Sequence, residues 1–293
     1  MRYITILVMI VSFGFGFCGF SSLKILPGVR EAGMGNVGVA CATGPEGMVW
    51  NPAASSGIRS FAASASYTKW FLDTNQQSVF VVRNLGFMHL GFGVASFDAG
   101  KFDYRTEVPA EEPLGEFEPR EFSFHLNFSR SFGDITDIGI SGRYYYSKIM
   151  DRQAHAPGVD LGMRLLPMNR LILGASVVDF GKNLYYYEES FRLPTRGRLG
   201  AAYQYCLGNK VRLNLAGQSS FFFYTRTLNL RAGTEFTWAR VASLRAGYEW
   251  LSDRSRLSLG LGFLLSQFHF DYSFTPMNDN LGAAHRISVG LCL

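Results

Sequence analysis

The sequence predicts an all-β protein, a transmembrane antiparallel β-barrel of about fourteen strands. Three observations carry this prediction. Apolar and polar residues alternate from about residue 59 to the last residue, the predicted strands are long, and short connections alternate with long ones. Only 17% of the 293 residues are charged, whereas 15% are aromatic. Because a soluble domain averages about 25% charged residues, this composition is better suited to a wall that faces lipid.

The chain begins with an apolar run that is typical of an export signal. Arg2 precedes an uncharged, largely apolar run from Ile4 to Phe17, a length too short for a membrane-spanning helix but usual for the centre of a signal peptide. Small residues follow and allow cleavage after Cys18 or near Ser21. We therefore expect residues 1–21 to be a signal peptide and the mature protein to be exported to the outer membrane of a bacterium.

Alternation with a period of two is clearest near the C-terminus. In RLSLGLGFLL, apolar residues occupy every second position from Leu257 to Leu265, with polar or small residues between them. Such a pattern indicates a strand with two unlike faces. Many predicted strands exceed the roughly ten residues that a tilted strand needs to cross a membrane. The predicted strands are 59–70, 75–84, 87–97, 119–132, 136–149, 155–166, 169–180, 195–207, 210–220, 226–238, 241–251, 255–265, 267–275 and 283–293.

The lengths of the connections give a second indication of a barrel. Only a few residues follow the second, fourth, sixth, eighth, tenth and twelfth strands, whereas most other connections are longer, as at 98–119 and 181–194. Outer-membrane barrels have short turns on the periplasmic side and long loops outside. A soluble β-sandwich remains an alternative, but it would not require long strands, unequal loops and a leader together. The predicted barrel wall is 59–293.

A repeated heptapeptide predicts the pairing of two neighbouring strands. LRAGTEF begins at Leu230 and LRAGYEW begins at Leu244, on either side of one short turn. If partner numbers sum to 480, Arg231 lies opposite Glu249, and Glu235 lies opposite Arg245. Both pairs then bring opposite charges together across the strands.

The same two-residue period places charged side chains on the inner face of the wall. A charge at the lipid midplane costs about 2–4 kcal/mol, so these side chains are expected in the lumen. One interpretation is an ion-paired interior that keeps the barrel closed, and the other is an attraction for anionic solutes or lipid headgroups. The predicted lumenal charge network contains Arg231, Glu249, Glu235, Arg245, Arg198, Arg212 and Arg286, and Arg143, Arg164, Arg256, Asp160 and Asp271 share its face.

Several classes of chemistry find no support in the sequence. The cysteines expected in the mature chain, Cys41, Cys206 and Cys292, lack the spacing of a disulfide framework or a zinc site. The five histidines show no metal-binding spacing, and no nucleophile elbow or phosphate loop occurs. The basic residues, despite a net charge of +5, are scattered rather than clustered as in a nucleic-acid site. We therefore expect no enzyme activity, metal, cofactor or nucleic-acid partner.

A G-x-G-x-x-G pattern occurs ahead of the first predicted strand, at Gly33, Gly35 and Gly38. A dinucleotide site would need a buried strand before these glycines and a helix after them. Pro27 interrupts the first, and Gly44, Pro45 and Gly47 forbid the second. The glycines therefore require another explanation.

The stretch from Leu23 to Gly57, with its glycine-rich AGMGNVGVA and the Trp50-Asn51-Pro52-Ala53 that follows, resembles the opening of the PorV/PorQ family of outer-membrane proteins. That family is in turn similar to the long-chain fatty-acid transporter (FadL-type) barrels. The resemblance implies that residues 22–58 form a hatch inside the lumen and that the glycines allow close approach to the wall. It also implies a rigid Asn51-Pro52 turn there, with a ligand-binding, gating or purely structural role.

Three functional hypotheses follow. The first is passive transport of a hydrophobic or amphipathic solute across the outer membrane. The second, implied by the resemblance, is an accessory of a type IX-like secretion system that carries or anchors exported cargo proteins. The third is a structural barrel with a closed lumen. The expected partners are outer-membrane lipid and the barrel assembly machinery, with either a hydrophobic small molecule or a secreted protein.

Overall fold

The structure, a computed structural model, describes residues 21–104, 112–186, 189–252, 255–277 and 281–293. It contains one short helix, α1 (Val29–Gly33), and three 3₁₀ turns at Ser21–Lys24, Pro45–Val49 and Pro52–Gly57. The strands are β1 (Phe61–Lys69), β2 (Asn75–Asn84), β3 (His89–Asp98), β4 (Phe102–Tyr104), β5 (Gly115–Phe117), β6 (Arg120–Phe132), β7 (Thr136–Ile149), β8 (Arg152–Met168), β9 (Leu171–Gly181), β10 (Leu184–Tyr186), β11 (Glu189–Phe191), β12 (Arg196–Leu207), β13 (Val211–Phe222), β14 (Thr227–Trp238), β15 (Ala242–Trp250), β16 (Ser255–Leu265), β17 (Phe268–Pro276) and β18 (Ala283–Cys292).

Fourteen of these strands form a closed antiparallel barrel, so the predicted fold class is confirmed. Each strand pairs with its neighbours in the sequence of wall strands, and β1 pairs with β18 to close the cylinder. Closure satisfies the backbone hydrogen bonds of every wall strand and leaves no edge, which a strand-built membrane protein requires. The remaining strands form two small hairpins, β4–β5 and β10–β11, within the two longest connections.

The wall has an apolar outer face and a polar inner face. On β16, Leu257 and Leu259 are 49% and 47% exposed, whereas Ser258 between them is fully buried. The other wall strands show the same alternation, and large apolar side chains cover the outside of the barrel. Lipid is the solvent that such a surface fits, which makes this a transmembrane barrel. No helix among the described residues is long and apolar enough to cross a membrane.

The register of the β14–β15 hairpin is the predicted one. Arg231 pairs with Glu249 and Glu235 pairs with Arg245. The side-chain nitrogens and carboxylate oxygens of the two pairs lie 3.0 and 2.7 Å apart. The alternation of the heptapeptides thus determines which pairs of opposite charge meet inside the barrel.

Two predicted strand boundaries at the long-loop end are corrected by the structure. β8 begins at Arg152 rather than residue 155, because Met150 takes a left-handed conformation (φ 53°) and the β7–β8 hairpin reverses within two residues. β13 extends to Phe222, two residues beyond the predicted end at residue 220. Described residues of the predicted 181–194 connection pair in the short hairpin β10–β11.

The N-terminal segment, defined here as residues 22–58, contributes a large share of the buried side chains. One apolar cluster joins Leu26, Met48 and Trp50 of this segment to Phe80 and Val82 of β2. A second cluster, which joins Met34, Val37 and Val39 to alanines of β12 and β13, lies against another part of the wall. The predicted leader, residues 1–21, falls outside the described residues except for Ser21.

Candidate functional site

The glycine run of the N-terminal segment packs against backbone. A Cβ added to Gly33 would lie 2.9 Å from the Cα of Gly260, and one added to Gly35 would lie 2.6 Å from the backbone nitrogen of Tyr248. Gly35 also has a φ of +71°, which side chains rarely adopt. Gly38 differs from the other two because a Cβ there would overlap the ring of Trp50 within the segment itself. Each glycine is therefore required by a close contact.

The wall supplies glycines of its own along the path of the N-terminal segment, and these were missed in the sequence. A Cβ on Gly247 or Gly233 would overlap the backbone at Met34, one on Gly174 would overlap Val39, and one on Gly139 would overlap Pro52. They could have been recognised as glycines at inward-facing positions of several strands, where the other residues are polar. Backbone therefore lies on backbone along a path that crosses β7, β9, β14 and β15.

Asn51 links the N-terminal segment to the wall. Its side-chain amide is fully buried and donates to the carbonyl oxygens of Val39 at 2.8 Å and Met163 at 3.0 Å, and to that of Ala175 at 3.3 Å. Its Oδ1 accepts from the backbone N–H of Ala53 at 3.0 Å and so caps the 3₁₀ turn that starts at Pro52. Gly162 makes room for this arrangement, because a Cβ there would overlap Oδ1.

Arg198 holds the residues just before this turn. Its guanidinium is buried and donates to the carbonyl oxygens of Val49 at 3.1 Å and Trp50 at 2.7 Å. It also lies 5.3 Å from the centroid of the Trp50 ring, within the range of a cation–π contact. The indole N–H of Trp50 donates to the carbonyl oxygen of Pro27 at 3.1 Å, which joins the start and end of the segment. Arg198 is therefore a positioning group for the Trp50-Asn51 pair.

A buried ion-pair network connects α1 to the predicted lumenal charges. Arg30 donates to both carboxylate oxygens of Glu235, at 2.9 and 2.5 Å. Arg245 donates to the same carboxylate at 2.7 Å and to Asp271 at 2.5 Å. Removal of one partner from a buried ion pair costs about 3–5 kcal/mol, because the other charge is left without compensation. Arg30 was not among the predicted residues, since its irregular segment has no period that would place it.

The second predicted pair, Arg231 and Glu249, also meets the N-terminal segment. The amide of Asn36 donates to Glu249 at 2.5 Å, while Arg231 donates to the other carboxylate oxygen at 3.0 Å. Next to them, the side-chain oxygen of Gln218 accepts from the backbone N–H groups of Gly38 and Val39 at 3.0 and 2.9 Å. The lumenal charges therefore bind the segment as well as one another.

The other two predicted arginines lie apart from these contacts. Arg286 is buried, donates to the hydroxyl of Thr275 at 3.0 Å and lies 4.8 Å from the centroid of the Trp70 ring. Arg212 is exposed on the inner face near the short-turn end and forms no ion pair with a described residue. The structure thus brings Arg198, Arg231 and Arg245, with Glu249 and Glu235, to the N-terminal segment, but not Arg212 or Arg286.

A separate ion-pair cluster, which joins β7, β8, β9 and β12, lies towards the long-loop end. Arg143 pairs with Asp160 and, at 3.0 Å, with Asp179, which also pairs with Arg196 at 3.0 Å. The hydroxyl of Tyr145 donates to Asp179 at 2.8 Å. Arginine and aspartate side chains are nearly equal in number in this part of the lumen. Their ion pairs therefore link the four strands to one another beside the N-terminal segment.

Glu46 is a partly buried carboxylate of the N-terminal segment without an arginine or lysine partner among the described residues. The hydroxyl of Ser64 on β1 donates to it at 2.6 Å. Burial, together with the nearby charge of Glu31, raises the pKa of Glu46 from 4.5 to about 7, although the Ser64 hydrogen bond opposes this shift. The protonation of this contact with the wall therefore changes near neutral pH.

A narrow pocket lies between the start of the N-terminal segment and the wall. Its lining is mainly apolar, with Ile25, Leu26, Phe97 and Phe122, and it ends on Arg143 and other polar groups. Phe97 and Phe122 adjoin the 99–119 connection, so the pocket lies towards the long-loop end. The lining is amphipathic in character, but the pocket's volume of about 20 Å³ holds no more than about one water molecule, so it would have to widen to admit a solute.

No arrangement for metal binding is found in the described part of the chain, where no three His, Cys, Asp or Glu side chains could hold an ion. The three described cysteines, Cys41, Cys206 and Cys292, are free. In the 98–119 loop, where residues 105–111 lie outside the described ranges, acidic groups pair internally, as Glu116 does with Lys101 at 3.2 Å.

No protein-family model matches the sequence, and no curated protein matches it. Solved structures do share its fold. The toluene transporter TodX of Pseudomonas putida superposes with a TM-score of 0.68 at 11% identity, over 91% of this chain and 98% of that one. The toluene transporter TbuX of Ralstonia pickettii gives 0.61 at 13% identity, over 90% and 97%. A Pseudomonas aeruginosa FadL homologue gives 0.59 at 12% identity, over 90% and 98%. At such identities the likeness is one of fold, that of the FadL-type barrels.

Proposed function

We propose that the chain is a bacterial outer-membrane transporter through which a hydrophobic or amphipathic small molecule crosses passively, with residues 22–58 as its hatch. The observation that carries this proposal is the position of the N-terminal segment inside a closed barrel, packed on wall glycines and joined to the wall by Asn51. The fold neighbours support it, because TodX and TbuX are toluene transporters and CymD, which shares the fold, is a monoaromatic hydrocarbon channel.

In this proposal the solute enters from the long-loop end through the pocket beside Ile25 and Leu26. Passage then requires part of the N-terminal segment to move, since its side chains exclude water from the lumen at Met34 and Trp50. Gly33, Gly35, Gly38, Asn51 and Pro52 would set the resting position of the hatch. The lumenal arginines would hold it through carbonyl and carboxylate groups.

Uptake of a labelled solute into cells tests this function. A Gram-negative host without its own hydrocarbon transporters would produce the wild type, a variant without residues 23–45, or neither. We expect the wild type to accelerate uptake of toluene and palmitate over the empty host while excluding a large polar dye. The truncated variant should admit the dye and should lose lipid that native mass spectrometry finds on the wild type. Uptake equal to that of the empty host would contradict the proposal.

The motifs AGMGNVGVA and Trp50-Asn51-Pro52-Ala53 support a second proposal, membership of the PorV/PorQ type and a role in a type IX-like secretion route. A protein of this kind would carry or anchor exported proteins at the outer membrane. Accumulation of exported proteins in the periplasm of a deletion strain would favour this role over solute transport. Normal secretion and normal uptake together would favour a structural barrel with a closed lumen.

A further inference from the structure

The short-turn end of the barrel carries a ring of exposed basic side chains, here called the basic rim. The ring begins beside β1, continues on the ends of β2, β6 and β13, and includes the turns after β8, β12 and β14. Asp134 is the only exposed acidic residue among the described residues of this end. The members of the basic rim are Arg59, Arg83, Arg130, Arg170, Lys210, Arg212 and Arg240.

The charges of the basic rim are not neutralised within the described part of the protein. None of its seven members forms an ion pair with another described residue. At the long-loop end, by contrast, exposed acidic residues such as Asp73, Glu112 and Asp151 lie among the basic ones, and Lys101 pairs with Glu116. The net charge of +5 is thus distributed unevenly, with uncompensated positive charge at one end.

The basic rim lies at the depth of lipid headgroups. Exposed apolar side chains continue into the short turns themselves, as Phe87 at 65%, Ile135 at 59% and Val241 at 49% show. Trp238, which is 57% exposed, lies two residues from Arg240, and the Arg130 guanidinium lies 5.4 Å from the centroid of the Phe132 ring. Aromatic and basic side chains together are typical of the membrane interface, where long basic side chains reach the headgroup layer.

We propose that the basic rim binds the headgroups of anionic phospholipids of the phosphatidylglycerol class in the leaflet on the short-turn side. This rests on the placement of the barrel in an outer membrane and not on transport. The distribution favours lipid over an acidic protein, because Arg83 and Arg130 point outward from the wall and four other members lie beside β1 or in separate short turns. Arg212, on the inner face, is the one member that does not face the membrane. Many separate headgroups fit such a ring, whereas a soluble partner would need a compact patch.

Native mass spectrometry of the full-length barrel tests the proposal. The protein is equilibrated in mixed micelles of phosphatidylethanolamine and phosphatidylglycerol, and the number of bound molecules of each lipid is then measured. The rim variant has the substitutions Arg83→Gln, Arg130→Gln, Lys210→Gln and Arg240→Gln. The matched control removes four exposed basic residues at the other end, with Lys69→Gln, Lys148→Gln, Lys182→Gln and Arg226→Gln. A shift of gel mobility on boiling shows that each variant is folded.

We expect the wild type and the control to retain phosphatidylglycerol about tenfold above its share of the mixture, since each basic group near an anionic surface contributes on the order of a factor of five. The rim variant, which keeps three of the seven members, should lose most of this preference. A wild type without preference, or an equal loss in the control, would overturn the proposal. So would a periplasmic protein retained by the wild type and lost from the rim variant. Solute uptake measured on the same variants separates this outcome from failure of the transport function.

Discussion

The substitution Asn51→Ala should release the N-terminal segment from the wall without unfolding the barrel. It removes three donated hydrogen bonds, to Val39, Met163 and Ala175, and the cap on Ala53. A buried hydrogen bond contributes about 1 kcal/mol net, and a cap contributes about as much. Because the bond to Ala175 is long, we estimate a total of roughly 3 kcal/mol, or about a hundredfold in the equilibrium for local opening.

The chain contains its own reporter for this opening. Cys41 is buried in the N-terminal segment, and burial raises the pKa of its thiol from 9.0 to about 12. Because the thiolate is the reactive form, a maleimide should label Cys41 only after the segment moves away from the wall. In a background with Cys206→Ser and Cys292→Ser, we expect Asn51→Ala to raise the labelling rate about a hundredfold.

The matched control for this experiment is Asn214→Ala. Asn214 is also a buried lumenal amide, on β13, and the described residues give it no hydrogen bond to the N-terminal segment. It should leave the labelling of Cys41 near the wild-type rate. If Asn51→Ala also leaves that rate unchanged while the barrel still shifts in gel mobility on boiling, Asn51 does not anchor the segment and the reasoning is refuted.

Three further predictions concern stability in urea, measured by tryptophan fluorescence in micelles. Gly247→Ala should destabilise the protein by about 1–3 kcal/mol through overlap with the N-terminal segment. Gly217→Ala should not, because its Cβ would meet nothing closer than the Arg231 carbonyl oxygen at 3.9 Å. Because the pKa of Glu46 is raised from 4.5 to about 7, the native state binds a proton between these pH values that the unfolded chain has released. The free energy of unfolding therefore decreases as the pH rises from about 4.5 to about 7. Glu46→Gln should therefore stabilise the protein at pH 8 and have no effect at pH 4; an equal effect at both would contradict this. Arg30→Met should cost about 3–5 kcal/mol and the exposed Arg212→Met less than about 0.5, and equal values would show that the Arg30 network adds nothing.

The wall could be predicted from the sequence because its pattern repeats with every strand. A period of two fixes which side chains face inward, and the short turns then fix the register, as the pairing of Arg231 with Glu249 shows. The β7–β8 turn was missed because its sequence contains no residue that favours the left-handed backbone conformation that Met150 adopts. Periodicity says nothing about how far a hairpin extends beyond the membrane.

The contacts of the N-terminal segment could be predicted only in part. The glycines and the Asn51-Pro52 turn are recognisable in the sequence as unusual. The wall residues that they contact depend on how the segment folds inside the barrel, and their spacing along the sequence does not identify them. Gln218 and Arg198 illustrate this, because both are ordinary inward positions until the backbone carbonyls and N–H groups of the segment lie beside them. An irregular chain inside a barrel has no period from which its register could be derived.

The two halves of the N-terminal segment are held by different forces, which bears on the part that could move. Residues 45–58 pack their apolar side chains on large wall residues, Phe80 and Val82. Residues 29–41 meet the wall through glycine backbone, alanines and ion pairs such as that of Arg30 with Glu235. Water can replace polar contacts at small net cost, whereas exposed apolar surface costs about 25 cal/mol per Å². Opening of the lumen should therefore begin at residues 29–41, and release of the Asn51 turn from the wall should favour it.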